Sequence, residues 1–279
     1  MVIKDLLYNV IGELKKSGND NAVFEAHLIL RTVLFLSPID LVLKKNDEVL
    51  PENISQIDSI VKRRTVGEPL QYILGTQEFM GLEFLVNPSV LIPRSDTEIL
   101  VEHVLEHFKG KPLTVLDLCT GSGCIAISIA SFNKNAFVKG IDISKDAIIT
   151  AEKNAKKLEV SNRVSFEVCD VFSLKTFGKY DLIVSNPPYI ETSVIPTLSD
   201  TVNKFEPHWA LDGGDDGLIF YRHIIDIAPR YLSSGGMLAF EIGYNQKDAV
   251  TKLMEENFHD IKAIKDYGNN DRVISGILH

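Results

Sequence analysis

Positive charge is scarce in this chain. Of its 279 residues, 29 are Lys or Arg against 38 Asp or Glu, which gives a formal net charge of −9. Neutralisation of phosphates by Lys and Arg supplies most sequence-independent affinity for duplex, so this balance argues against direct nucleic-acid binding and favours a protein partner or a small substrate. Cysteine is scarce too. Cys119, Cys124 and Cys169 are too few for a disulfide framework and lack the Cys-x-x-Cys or Cys/His spacing of zinc sites, so neither redox chemistry nor a metal is expected. Long apolar runs are missing as well. None approaches the roughly eighteen residues of a membrane span, and Met1 to Lys16 intersperses Lys4, Asp5, Glu13, Lys15 and Lys16 among its apolar residues, unlike a signal peptide. A cytoplasmic protein without membrane contact is expected. Internal repeats and low-complexity segments are also absent.

What is present is material for a core, 45% of the residues being hydrophobic. Leu6, Leu7, Val10, Ile11 and Leu14 recur at helical spacing and stop at Ser17-Gly18-Asn19-Asp20. Further helical patterns run from Asn21 to about Leu36, from Pro38, and from Pro51 to Arg64, predicting a small all-helical domain over 1–68. Tyr72-Ile73-Leu74 and Phe79 to Val86 read as strands of a hairpin, giving a linker over 69–92. Over 93–279 short apolar runs alternate with helical patterns, with strands near 113–118, 137–143, 164–169, 180–185 and 235–242 and helices near 124–132, 145–157, 216–231 and 245–257. Two more strands, 261–267 and 272–278, leave no room between them for a helix. The fold class expected is α/β, a doubly wound, mostly parallel sheet ending in an antiparallel hairpin and preceded by the helical domain.

The first strand runs into Cys119-Thr120-Gly121-Ser122-Gly123, where small residues let a ligand approach the backbone closely. Asp142 ends the next strand 21 positions after Gly121, where a carboxylate can accept from ribose hydroxyls; alone it could equally cap a helix, and so could Asp170 after the third strand. The third glycine of the dinucleotide fingerprint and the Lys-Ser/Thr pair of a P-loop are both missing, which weighs against hydride transfer and ATP hydrolysis.

Asn186-Pro187-Pro188-Tyr189 ends the fourth strand. Two prolines fix φ, lack N–H groups and push Asn186 toward extended geometry, so the loop is stiff and rich in acceptors. A planar amide or amine that must aim its lone pair at an electrophilic methyl needs acceptors for its hydrogens, which the Asn186 side-chain oxygen and the Pro187 carbonyl can supply. Tyr189 can then stack on the planar group. The connection from Ile190 to Ala210 is long, polar and without periodicity, a kind of loop that is usually functional. His208 and Trp209 within it serve either as an anchor or as substrate contacts. Arg94, at a helix N-terminus where a cation opposes the dipole, should face an anionic group, either the cofactor carboxylate or a surface ion-pair partner. Ser95-x-x-Glu98 has the form of a capping box, and Lys62-Arg63-Arg64 that of a solvated helix end.

Six separated motifs carry a family resemblance: Pro93 to Glu98, Asp117 to Gly123, Asn186 to Tyr189, Glu206 to Leu211, Gly213 to Leu218, and Glu241-Ile242-Gly243. By these the chain resembles the release factor glutamine methyltransferases, class I S-adenosylmethionine-dependent enzymes. It departs from the family pattern at Cys119, usually glycine, and at Ser95-Asp96, commonly Pro-Glu. The resemblance implies an N-terminal domain that recognises peptide chain release factors and a methyltransferase domain that modifies the glutamine of their Gly-Gly-Gln motif, yielding S-adenosylhomocysteine. It implies that Cys119, Thr120, Gly121, Ser122, Gly123, Asp142, Asp170, Val171 and Asn186 line the cofactor. Asn186, Pro187, Pro188 and Tyr189 would hold the glutamine, with Asn186, Pro187 and Tyr189 catalytic. A monomer is expected. The rival readings are an adenine amino methyltransferase acting on DNA or RNA, since an exocyclic amine also suits Asn-Pro-Pro-Tyr, and a non-catalytic module that regulates translation.

Overall fold

The computed structural model describes residues 1–175 and 178–279, which divide into two compact units, Met1–Gly75 and Thr76–His279. The first unit is all helical: α1 (Ile3–Lys16), α2 (Ala22–Leu34), α3 (Pro38–Leu43), α4 (Pro51–Thr65) and α5 (Leu70–Leu74). Leu6, Val10 and Leu14 of α1 meet Ala26, Ile29 and Leu30 of α2 and Ile57 of α4 in one buried cluster, so the helical spacing seen in the sequence is the inward face. Ser37 and Asp40 close a reciprocal cap on α3, and Pro51 begins α4 where a missing N–H costs nothing. Two of the three basic residues ending α4 are paired rather than merely solvated: Arg64 forks onto Glu25 at 2.7 and 3.1 Å, and Arg63 pairs with Glu68. Tyr72-Ile73-Leu74, expected as strand, is the turn of helix α5. Pro69 opens it and Gly75, at φ 78, ends it in the left-handed region.

The second unit opens with a two-stranded antiparallel hairpin, β1 (Thr76–Phe79) and β2 (Leu82–Leu85), followed by α6 (Ser95–His107). Then come β3 (Leu113–Leu118), α7 (Cys124–Phe132), β4 (Ala136–Asp142), α8 (Lys145–Lys157), β5 (Val164–Val168) and β6 (Tyr180–Ser185). The last elements are α9 (Asp200–Phe205), α10 (Ile219–Tyr231), β7 (Leu232–Glu241), α11 (Lys247–Met254), β8 (Phe258–Lys265) and β9 (Asp271–Leu278). Seven strands form one sheet in the order β5-β4-β3-β6-β7-β9-β8. The first five are parallel; β9 is antiparallel to β7, and β8 to β9. Helices cover both faces, as a parallel sheet requires. Val115 and Leu113 of β3 enter one core with α6 and α7, while Leu116 and Leu118 enter the other with α10.

Two local expectations give way. Ser95 does not cap α6: Arg94 holds that position without a side-chain cap, and Glu98 accepts instead from the Met80 backbone N–H at 2.6 Å. That bond pins the hairpin turn, where Met80 and Gly81 both have positive φ. The connection after β6 contains α9 and short 3-10 turns at Ile195–Thr197 and His208–Ala210.

Candidate active site

The strand order reverses between the parallel neighbours β3 and β6, since β4 and β5 build outward on one side and β7 on the other. Doubly wound sheets open a crevice at the carboxyl ends of such a strand pair. Here it is a cavity of about 470 Å³ whose walls include Cys119, Thr120, Gly121, Asp142, Asp170, Val171, Asn186 and Pro188. Ser122, Gly123, Pro187 and Tyr189 are not among its walls. Gly123 serves packing: a Cβ there would lie 2.9 Å from the Phe166 ring. Gly121, at φ 55, has open space beside it, and Cys119 adopts φ 60 despite its side chain. The turn therefore needs the left-handed conformation at three positions, one of them filled by a residue that pays for it in strain. Burial, then the nearby carboxylates of Asp142 and Asp117, push the Cys119 thiol far up, and burial pushes Cys124 up to about 12, so neither is a nucleophile at neutral pH.

Asp142 accepts from the Gly121 N–H through Oδ2 and from the Ser144 N–H through Oδ1, both at 2.9 Å. Burial raises its pKa while these backbone bonds hold it down. Each oxygen keeps a lone pair, which suits a pair of hydroxyl donors. Asp170 both lines the cavity and caps the 3-10 turn Val171–Ser173, accepting from the Phe172 N–H at 3.0 Å. Beside it Phe172 and Phe220, 5.1 Å apart, join Val171, Ile143 and Ile219 in an apolar wall. Such a wall fits a flat base.

On the opposite side Asn186 donates its side-chain N–H to the Thr97 hydroxyl at 3.2 Å, and among the described residues its Oδ1 has no partner. Thr97 in turn donates to Glu241 Oε2 at 2.5 Å, while the Tyr189 hydroxyl donates to Glu241 Oε1 at 3.3 Å. The ring expected to stack on substrate thus turns its polar end toward a buried carboxylate. Burial pushes Glu241 up to about 7, against the hydrogen bond from Thr97 and the charge of Arg272. Arg94 lines the cavity and pairs at 2.5 Å with Glu206, whose side chain is buried and whose Oε2 has no partner among the described residues. The anion that Arg94 was expected to face is therefore a residue of the chain. His208 holds its loop by bonding the Asn203 carbonyl at 2.7 Å, whereas Trp209 is a wall of the cavity.

The PrmC N-terminal domain family matches residues 5–75, and the methyltransferase domain family matches 109–273. A release factor glutamine methyltransferase of Geobacter sulfurreducens is 42% identical over 95% of this chain and 93% of its own length. The same-named protein of Clostridium botulinum is 41% identical over 98% of both chains. This chain belongs to the release factor glutamine methyltransferase family. The solved structure of a methyltransferase from Pyrococcus furiosus, at 18% identity, aligns over 71% of this chain and 90% of that one with a TM-score of 0.52, which confirms the class I methyltransferase fold.

Within that family frame, three residues that bear on the site had no role assigned from sequence. Thr97 and Glu241 sit inside motifs that carried the resemblance, yet nothing local says that they meet across 144 positions. Gln246 is the third. Its side-chain N–H bonds the Tyr189 carbonyl at 2.9 Å and the Gly217 carbonyl at 3.2 Å, and its Oε1 accepts from the Gly243 N–H at 2.9 Å. Three loops are stapled by one amide. Gly213 and Gly217 explain themselves in the same place: a Cβ on Gly213 would lie 2.7 Å from Tyr189 Cα, and one on Gly217 would collide with the Tyr189 carbonyl.

Proposed function

We propose that the chain transfers a methyl group from S-adenosylmethionine to the side-chain amide nitrogen of the glutamine in the Gly-Gly-Gln motif of peptide chain release factors. The names and near full-length coverage of the relatives support the substrate class. The single observation that carries the chemistry is Asn186, whose N–H edge is committed to Thr97 inside the protein while its oxygen is left as an acceptor on the cavity wall.

The cavity fits the cofactor on its own chemistry, with the Asp142 carboxylate for ribose hydroxyls, the Val171, Phe172 and Phe220 wall for adenine, and the open Gly121 turn for close backbone approach. When bound there it supplies an electrophilic methyl on a sulfonium, so no metal or covalent nucleophile is called for. The residues of the chain position and polarise. A glutamine amide nitrogen is a poor nucleophile because its lone pair is delocalised. Asn186 Oδ1, accepting an N–H bond at the cavity wall, enriches the nitrogen and fixes the direction of its lone pair; the Pro187 carbonyl, expected as the second acceptor, lies off that wall. The nitrogen keeps one proton and releases the other to solvent as the N–C bond forms. Trp209, over half exposed at the cavity wall, supports this reading as an apolar side chain that the incoming peptide can cover.

Incubation of a purified release factor with this protein and S-adenosylmethionine, followed by tandem mass spectrometry, should find the mass of one added methyl on the Gly-Gly-Gln glutamine. Methylated adenine in DNA or RNA, with the factor unmodified, would overturn the proposal.

A further inference from the structure

We infer that Thr97 and Glu241 are positioning residues that set which edge of the Asn186 amide faces the cavity, an inference that rests on the acceptor role proposed for Asn186. Threonine has a single hydroxyl proton, and an ionised carboxylate can only accept. Thr97 Oγ1 lies 2.5 Å from Glu241 Oε2 and 3.2 Å from Asn186 Nδ2. With Glu241 ionised, the Thr97 proton is committed to it, so Thr97 offers Asn186 lone pairs only. The NH2 edge must therefore turn inward and the oxygen outward. Thr97 and Glu241 are both buried, so a mismatched pair between them and the inward edge of Asn186 has little water to rescue it.

The arrangement is reversible. A proton on Glu241 lets that group donate to Thr97, whose own proton then points at Asn186; the Asn186 oxygen turns inward to take it, and the NH2 edge faces the cavity. A donor there meets the N–H bonds of the substrate amide instead of accepting from them. Glu241 is faced by Asp96 and Thr97 of α6, Cys124 of α7, Tyr189 after β6 and Arg272 of β9, and its backbone carbonyl accepts from Tyr221 of α10 at 2.9 Å. Arg272 favours the ionised form, but it is shared with Asp266 at 3.0 Å and Asp96 at 3.3 Å. Burial outweighs these partners and brings Glu241 up to about 7, within the range where a cell can populate both forms.

Two measurements test this in the intact protein. Thr97→Val, which removes the hydroxyl and keeps the shape, should lower kcat about 10- to 100-fold and abolish the acid limb near neutral pH, with the cofactor Kd moving less than about threefold; Thr97→Ser should recover most of kcat. Independently of any substrate, the Asn186 side-chain amide protons, assigned in ¹⁵N NMR by their loss in Asn186→Ala, should exchange slowly with solvent in the wild type and in Thr97→Ser and rapidly in Thr97→Val. If wild type transfers no methyl to a release factor, the substrate proposal fails and the exchange measurement alone decides. Equal exchange in wild type and Thr97→Val, a Thr97→Ser variant as impaired as Thr97→Val, or a Thr97→Val kcat within about twofold of wild type each overturns the inference.

Discussion

Asn186 has two different edges on one planar group: its N–H edge ties the loop after β6 to α6, and its oxygen has no partner among the described residues. Asn186→Ala removes the acceptor while the Gly121 turn and Asp142 remain. It should lower kcat at least about a hundredfold, with the cofactor Kd by calorimetry changing only a few-fold. A folded variant that still turns over near the wild-type rate would break the assignment. The place of Asn186 on the cavity wall was legible in the sequence because its neighbours are unusual: two prolines after a strand restrict the chain in a way few structural needs demand. Thr97, Glu241 and Gln246 were not legible in the same way. Their residue types are common, and their meaning lies in contacts 89, 144 and 57 positions away, which no local pattern encodes. Cys119 lies between these cases. Its departure from glycine was visible in the sequence, but only the backbone shows that it adopts φ 60 all the same.

Among elements, the parallel strands and their helices were legible to within three residues at their ends, because strands buried on both faces read as continuous apolar runs bounded by small residues. Misreadings came where a short element depends on its ends. Tyr72-Ile73-Leu74 has strand-like composition, but Pro69 and Gly75 bracket a helical turn, and Glu98 served the hairpin and not the cap. The turn around Gly213 to Gly217 is legible as glycine-rich, while its purpose, close approach to the Tyr189 backbone, appears only in three dimensions. Gly217 has φ 71 and would collide with Tyr189, whereas Gly235 has φ 73 with open space around it. Gly235→Ala should therefore cost about 1 kcal/mol from backbone strain alone, and Gly217→Ala about 1–3 kcal/mol more together with a loss of turnover. Equal urea midpoints for the two variants would show that the Tyr189 contact carries no energy.

For the molecule as a whole, the two buried carboxyls of the sheet set a pH dependence of stability. Burial pushes Asp117 from 3.8 and Glu241 from 4.5 up to about 7, so the folded chain holds protons that the unfolded chain has released. The sign follows: their contribution is fully present below the unfolded values and is lost as pH rises through about 7. Each group is worth on the order of 3 kcal/mol across that window. Unfolding free energy from denaturant titrations should fall between pH 5 and pH 8, and Asp117→Asn, whose amide oxygen can still accept from Thr120, should flatten the fall. Parallel pH curves for the two proteins would show that Asp117 is ionised throughout. The order of strands has a consequence for how the chain is made. β9 pairs with β7 on one side and β8 on the other, although it is synthesised after both. Until it emerges, a nascent chain carries two unpaired strand edges, each a template for a neighbouring polypeptide on the same message, and Glu241 has no Arg272 beside it. A product cut short before residue 271 would thus be both inactive and sticky, which makes faithful completion of its own translation a condition of this enzyme's existence.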